Sequence, residues 1–102
     1  MSLTLVNLFT VPAGEADNFL ARFKATAERL GDLPGFGGTE LHRNAGVGDQ
    51  TYGFVNIATW ESAEAWQAAL PSIMQGAAGL TSVIPKAALY ESVFRFPKPG
   101  QT

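Results

Sequence analysis

The side chains of this sequence best suited to chemistry on a small molecule are two amides, two indoles and one imidazole. Asn56 stands in the run Tyr52 to Trp60. There Tyr52, Phe54, Asn56, Ala58 and Trp60 fall on one side of an extended chain, and Gly53, Val55, Ile57 and Thr59 on the other. A buried amide with unmade hydrogen bonds costs about 1–3 kcal/mol, so Asn56 needs a partner in protein, water or a ligand. Asn7 breaks the apolar row of Leu3, Leu5 and Phe9 in the same way. Trp60, on the same side of the strand as Asn56, adds an indole N–H donor, and Trp66 follows at helical spacing, facing inward. His42 is the single histidine and the one side chain that titrates near neutrality, which makes it the candidate proton acceptor. Each residue also has a plainer reading: the tryptophans as core, the asparagines as partners of a neighbouring strand or loop, His42 as an exposed group beside a hairpin.

Other chemistries lack their residues. There is no cysteine, which removes disulfides, thiolate catalysis and cysteine-ligated metals, and one histidine is too few for a typical zinc site. No glycine-rich phosphate loop, nucleophile–base set or carboxylate pair stands in a suitable context. A net charge of −2 without a basic cluster argues against nucleic acid as a partner. No apolar run approaches the ~18 residues of a membrane span, and the start MSLTLVNLF lacks the features of a signal peptide, so a soluble cytoplasmic protein is expected.

The elements that must position these residues are legible from periodicity. Leu3 to Thr10 reads as a strand, and Val11-Pro12-Ala13-Gly14 as a turn. Ala16, Phe19, Leu20, Phe23, Ala27 and Leu30 then mark an amphipathic helix, with Asp17, Arg22, Lys24, Glu28 and Arg29 mainly on its outer side. Leu33-Pro34-Gly35-Phe36 is a tight turn into a second strand ending near Asn44. On that strand Phe36, Gly38, Glu40 and His42 share one face and Thr39, Leu41 and Arg43 the other, with Gly37 and Gly38 as a bulge signal. A hairpin loop, Ala45 to Gln50, leads to the Tyr52–Trp60 strand, and Ser62 caps a second helix. Pro71 interrupts that helix or starts a short one over Ser72 to Leu80; Thr81 to Lys86 reads as a linker and Ala87 to Phe96 as the fourth strand.

With 102 residues, the chain makes one domain over 1–102, with a core over 3–96 and a mobile tail over 97–102. The order β-α-β-β-α-β gives an α+β, ferredoxin-like protomer: an antiparallel four-stranded sheet with helices on one face. The strands carry apolar groups on both faces, and 46% of the chain is hydrophobic against 16% charged. The face without helices therefore needs a cover, which a second copy would supply sheet against sheet as a two-fold homodimer.

Three segments, NLFTVPAGEADNFLARF, LPGFGGTELHR and FVNIATWESAEAWQAAL, resemble the antibiotic biosynthesis monooxygenase (ABM) family. The proline-glycine-phenylalanine turn and the strand ending in Trp-Glu-Ser are its most recognisable pattern. The resemblance implies a dimeric α+β barrel. It also implies a cofactor-independent monooxygenase that oxidises a phenolic aromatic to a quinone with dioxygen, using neither metal nor flavin. Asn56 and Trp60 match that branch's site asparagine and tryptophan, and Trp66 stands where it has a tyrosine. Its second-strand tyrosine aligns with Leu41, and its arginine beyond the second helix has no match near Leu80. In this reading Asn56 and Trp60 hold substrate oxygens, Asn7 adds a donor, His42 takes the proton, and Trp66, Phe23 and Phe54 wall the substrate pocket. The heme-degrading branch shares Asn7, but its ligating histidine falls near Gly79 and its pocket tryptophan near Ala69. Heme bound without that histidine, and a non-catalytic dimer binding a small apolar metabolite, are the alternatives.

Overall fold

A computed structural model describes residues 2–100. Strand β1 (Leu3–Thr10) runs through a 3-10 turn (Ala13–Glu15) into helix α1 (Ala16–Leu30). Strands β2 (Phe36–Arg43) and β3 (Phe54–Trp60) form a hairpin, and helix α2 (Ala63–Gly76) leads to β4 (Ile84–Tyr90). The sheet order is β2-β3-β1-β4 with every pairing antiparallel, which is the expected ferredoxin-like arrangement. The domain limits at Met1 and the tail residues 101 and 102 lie outside the described residues.

Period-two alternation on β3 is complete. Phe54, Asn56, Ala58 and Trp60 are buried while Val55, Ile57 and Thr59 are not. Against that inner face the helices place Leu30 and Ala69, which join Leu5, Ala58 and Trp60 in one core cluster. A second cluster is aromatic: the Phe19 ring lies 4.8 Å from Phe9 and 5.0 Å from Phe54. Burial of each such side chain contributes about 1.5–3 kcal/mol. Ser62 caps α2, its hydroxyl accepting from Ala65 N at 3.1 Å. In the hairpin loop Asp49 accepts from Thr51 N at 2.8 Å and from the Thr51 hydroxyl at 2.5 Å, the hydroxyl bond being the larger cause of a carboxyl pKa below the ordinary value.

Three elements differ from expectation. First, β4 lies earlier, at Ile84–Tyr90 rather than Ala87–Phe96. Pro85, read as part of a linker, is inside it, opposite Phe9; β4 is an edge strand, where a missing N–H breaks no ladder. Val93, Phe94 and Phe96 lie beyond the strand and are exposed. Second, α2 continues through Pro71 to Gly76 instead of breaking there, losing one backbone bond but keeping Ile73 against the core. Third, the bulge does occur: Phe36 pairs with Trp60 but Thr39 with Ala58, so three residues of β2 advance against two of β3. Phe36 consequently joins Thr39 and Leu41 on the inner face and leaves Glu40 and His42 on the outer one.

The turn before β2 depends on Gly35. Its φ is +83°, its carbonyl accepts from Glu61 N at 2.8 Å, and a Cβ there would stand 2.5 Å from that of Ala65. The turn thus packs directly on the corner between β3 and α2. Gly35→Ala is expected to cost about 1–3 kcal/mol, seen as a lower denaturation midpoint. Gly14→Ala, where nothing lies within 4 Å, is expected to stay within about 0.5 kcal/mol.

Candidate functional site

Between the inner sheet face and the two helices lies a cavity of about 260 Å³. Its sheet wall carries Asn7, Thr39, Asn56 and Trp60; its helix wall carries Phe23, Trp66, Leu70 and Met74. Asn7 and Asn56 are direct cross-strand neighbours on β1 and β3, so the two amides that interrupt separate apolar rows in the sequence stand side by side.

The polar groups are satisfied unequally. Asn56 is 7% exposed, and its side-chain oxygen accepts from the Thr39 hydroxyl. Asn7 Oδ1 and Trp60 Nε1, by contrast, are buried with no hydrogen-bond partner. One is an acceptor and the other a donor, and each unmade bond costs about 1–3 kcal/mol. The Trp60 ring is 1% exposed and packs edge-on against Phe36 at 5.2 Å.

Of the residues expected at the site, Asn7, Phe23, Asn56, Trp60 and Trp66 line this cavity; His42 and Phe54 do not. His42 lies on the opposite sheet face, where its Nε2 meets Glu40 Oε1 at 3.0 Å and half its side chain is exposed. Period two separates it from Leu41, which faces the helices. The Phe54 ring is taken up by Phe19 and lies under the Arg43 guanidinium at 5.6 Å, so it supports the wall from behind. The sequence reading missed Thr39 and Arg22. Thr39 reaches the inner face beyond the bulge. Arg22 was placed on the outer side of α1 but is half-buried and lines the cavity. Phe19, Arg22, Phe23 and Thr26 recur at i, i+3, i+4 and i+7, and this spacing was the available signal.

Among the described residues no group of three or more histidine, cysteine, aspartate or glutamate side chains is placed to hold a metal ion, and no helix is long and apolar enough to cross a membrane.

No curated protein sequence matches the chain. Among solved structures it is similar to SnoaB, a cofactor-independent oxygenase from Streptomyces nogalater, at 30% identity and a TM-score of 0.78, covering 95% of this chain and 98% of that one. A candidate monooxygenase from Shewanella loihica PV-4 is 26% identical, with a TM-score of 0.77 and coverage of 92% and 96%. The heme-degrader MhuD from Mycobacterium tuberculosis, with two hemes bound in its active site, is 25% identical, with a TM-score of 0.69 and coverage of 93% and 99%. The antibiotic biosynthesis monooxygenase profile matches residues 2–78, and the chain belongs to that family.

Proposed function

We propose that this protein is a cofactor-independent monooxygenase acting on a phenolic aromatic. The observation that carries the reading is the pair of unpartnered buried polar atoms, Asn7 Oδ1 and Trp60 Nε1, on residues of the sheet wall of a largely apolar cavity. An acceptor and a donor left open in this way suit a hydroxylated ring. An enclosed apolar cavity of about 150 Å³ takes benzene, so the volume here suits roughly two fused rings. The similarity to SnoaB supports the same chemistry.

In that reaction the substrate is its own reductant. Loss of a proton gives a phenolate able to pass an electron to dioxygen. One oxygen atom ends on the ring carbon, and the other leaves as water with two hydrogens from the substrate. The chain contributes apolar walls that exclude water, and N–H donors from Trp60 and Asn56 that stabilise the anion as charge develops. With His42 on the far side of the sheet, no imidazole or carboxylate lines the cavity among the described residues. The proton therefore leaves through the substrate's own acidity. The cavity also offers no histidine to ligate heme, so the likeness to MhuD supports the shape of the chamber and not heme turnover by a ligating histidine.

The working form is a homodimer. On the outer sheet face Val6, Leu8 and Val55 are only half-buried and Ile57 is exposed, and Val93, Phe94 and Phe96 are exposed in the segment after β4. A second copy packed sheet to sheet would cover them.

Oxygen uptake by the metal-free protein with hydroquinones, anthrones and naphthols tests the reaction. Asn56→Ala and Trp60→Phe are each expected to lower kcat by roughly 10²-fold with the fold retained. His42→Ala should leave it unchanged, and the alkaline rise in rate should track the pKa of the substrate across a substituted series. Turnover unaffected by both cavity variants would sink the assignment. The unpartnered amide gives a second test. Asn7→Leu should stabilise the protein by about 1 kcal/mol while weakening turnover, whereas Asn56→Leu should destabilise it by about 1–3 kcal/mol by stranding the Thr39 hydroxyl. Denaturant midpoints of the two variants, moving in opposite directions, are the check. Sedimentation should show a dimer at micromolar concentration and a monomer for Ile57→Glu.

A further inference from the structure

Arg22 is the only charged side chain among the described residues that line the cavity. Its Nε donates to Gly76 O at 3.1 Å and its Nη2 to Ala78 O. These carbonyls sit at the C-terminal end of α2, the negative end of the helix dipole. Holding α1 to α2 is one use of the residue, but Arg29 serves the same end from the exposed side, donating to Ser72 O at 2.9 Å. Arg22 differs in facing the chamber. The two bonds use two of its five N–H groups, and among the described residues no carboxylate forms an ion pair with it; the His42–Glu40 contact is on the other face of the sheet. Peptide dipoles at a helix end amount to roughly half an elementary charge, so they compensate only part of a guanidinium.

A fixed cation in an apolar wall, short of a counter-charge, selects the charge of what enters. We propose that Arg22 is the anion-recognising residue of this cavity, and that its ligand is a hydroxylated aromatic bearing a carboxylate or a second, phenolate oxygen. This rests on the reading of the cavity as the substrate site. The anionic oxygen takes the free N–H groups of Arg22 on the helix wall, in charge-assisted bonds about twice as strong as neutral ones. The hydroxyl meets the polar groups of the sheet wall, where Asn7 and Asn56 stand side by side. The rings between lie against Phe23 and Trp66. Polar groups at two ends of one apolar body thus fix its orientation as well as its charge.

The test is the affinity of 6-hydroxy-2-naphthoate against its uncharged carboxamide of the same shape, by titration calorimetry on the intact protein. The wild type should favour the carboxylate by about ten-fold, the preference shrinking with added salt. Arg22→Met should remove the preference and leave carboxamide affinity unchanged, and Arg22→Lys should keep part of it. Equal loss for both ligands in Arg22→Met, with a lowered melting temperature, would mean a helix clamp only and overturn the proposal; so would a preference that survives Arg22→Met. Wild-type binding of both ligands without preference overturns the role of Arg22 but leaves the substrate cavity standing. Binding of neither removes the cavity reading and this inference together.

Discussion

Asn56 can sit in the middle of an apolar sheet face because Thr39 donates to it, and Thr39 is there because two glycines before it shift β2 by one residue. Geometry favours glycine at both positions. Gly38 has a φ of +110°, and a Cβ at Gly37 would lie 3.1 Å from the side chain and carbonyl of Thr59. If the same residues ran as a regular strand, Gly37 would face Trp60, and Phe36 would turn toward the outer face and leave the Trp60 ring without its edge partner. One bulge therefore settles both an aromatic contact at the floor of the core and a hydrogen bond in the wall of the cavity.

The same wall shows where stability is set aside. The amide of Asn56 is bonded while its neighbour across the strands, Asn7, has an open oxygen, and the indole N–H of Trp60 is open too. Folding alone gives no reason to place a leucine-sized amide such as Asn7 in an apolar row and leave its oxygen unbonded. A ligand that completes those bonds does give one, because it recovers the desolvation cost only when it is bound. The cavity wall thus combines a bonded pair, Thr39 with Asn56, and two unbonded groups, on Asn7 and Trp60.

Much of this was legible in the sequence, and the failures have physical causes. The alternation in Tyr52–Trp60, the stripe of α1 and the Ser62 cap are local signals that tertiary packing reinforces, so strand, helix and boundary all fell close to expectation. The β4 error came from treating alternation as proof of pairing. Val93, Phe94 and Phe96 belong to an apolar tail that follows the strand, but a strand also needs a neighbour, and the chain supplies none after Tyr90. Pro85 looked like a stop signal, yet it is tolerated because β4 is an edge. His42 was selected for its pKa range alone. Its side of the sheet is set by the bulge, and period two then places it opposite the helices. Arg22 was missed because a charge was read as an outward residue although its spacing put it beside Phe19 and Phe23.

In the reaction we propose, the substrate supplies its own electrons, and this changes what the protein must provide. The chain would then have to bind one ring system in one orientation, keep out water and favour the ionised form. Each demand corresponds to something in the wall: phenylalanine and tryptophan surfaces for the rings, a donor and an acceptor on the sheet for the reacting end, and a cation on α1. In the proposed complex the part of this cation is orientation rather than deprotonation. An anionic oxygen paired with the guanidinium cancels most of its field at the far end of the ring system, so the ionised, electron-rich state that reacts with dioxygen has to come from the substrate's own acidity and from the N–H donors of the sheet wall. A general base would otherwise perform that task, and His42, on the far face, is not placed to perform it.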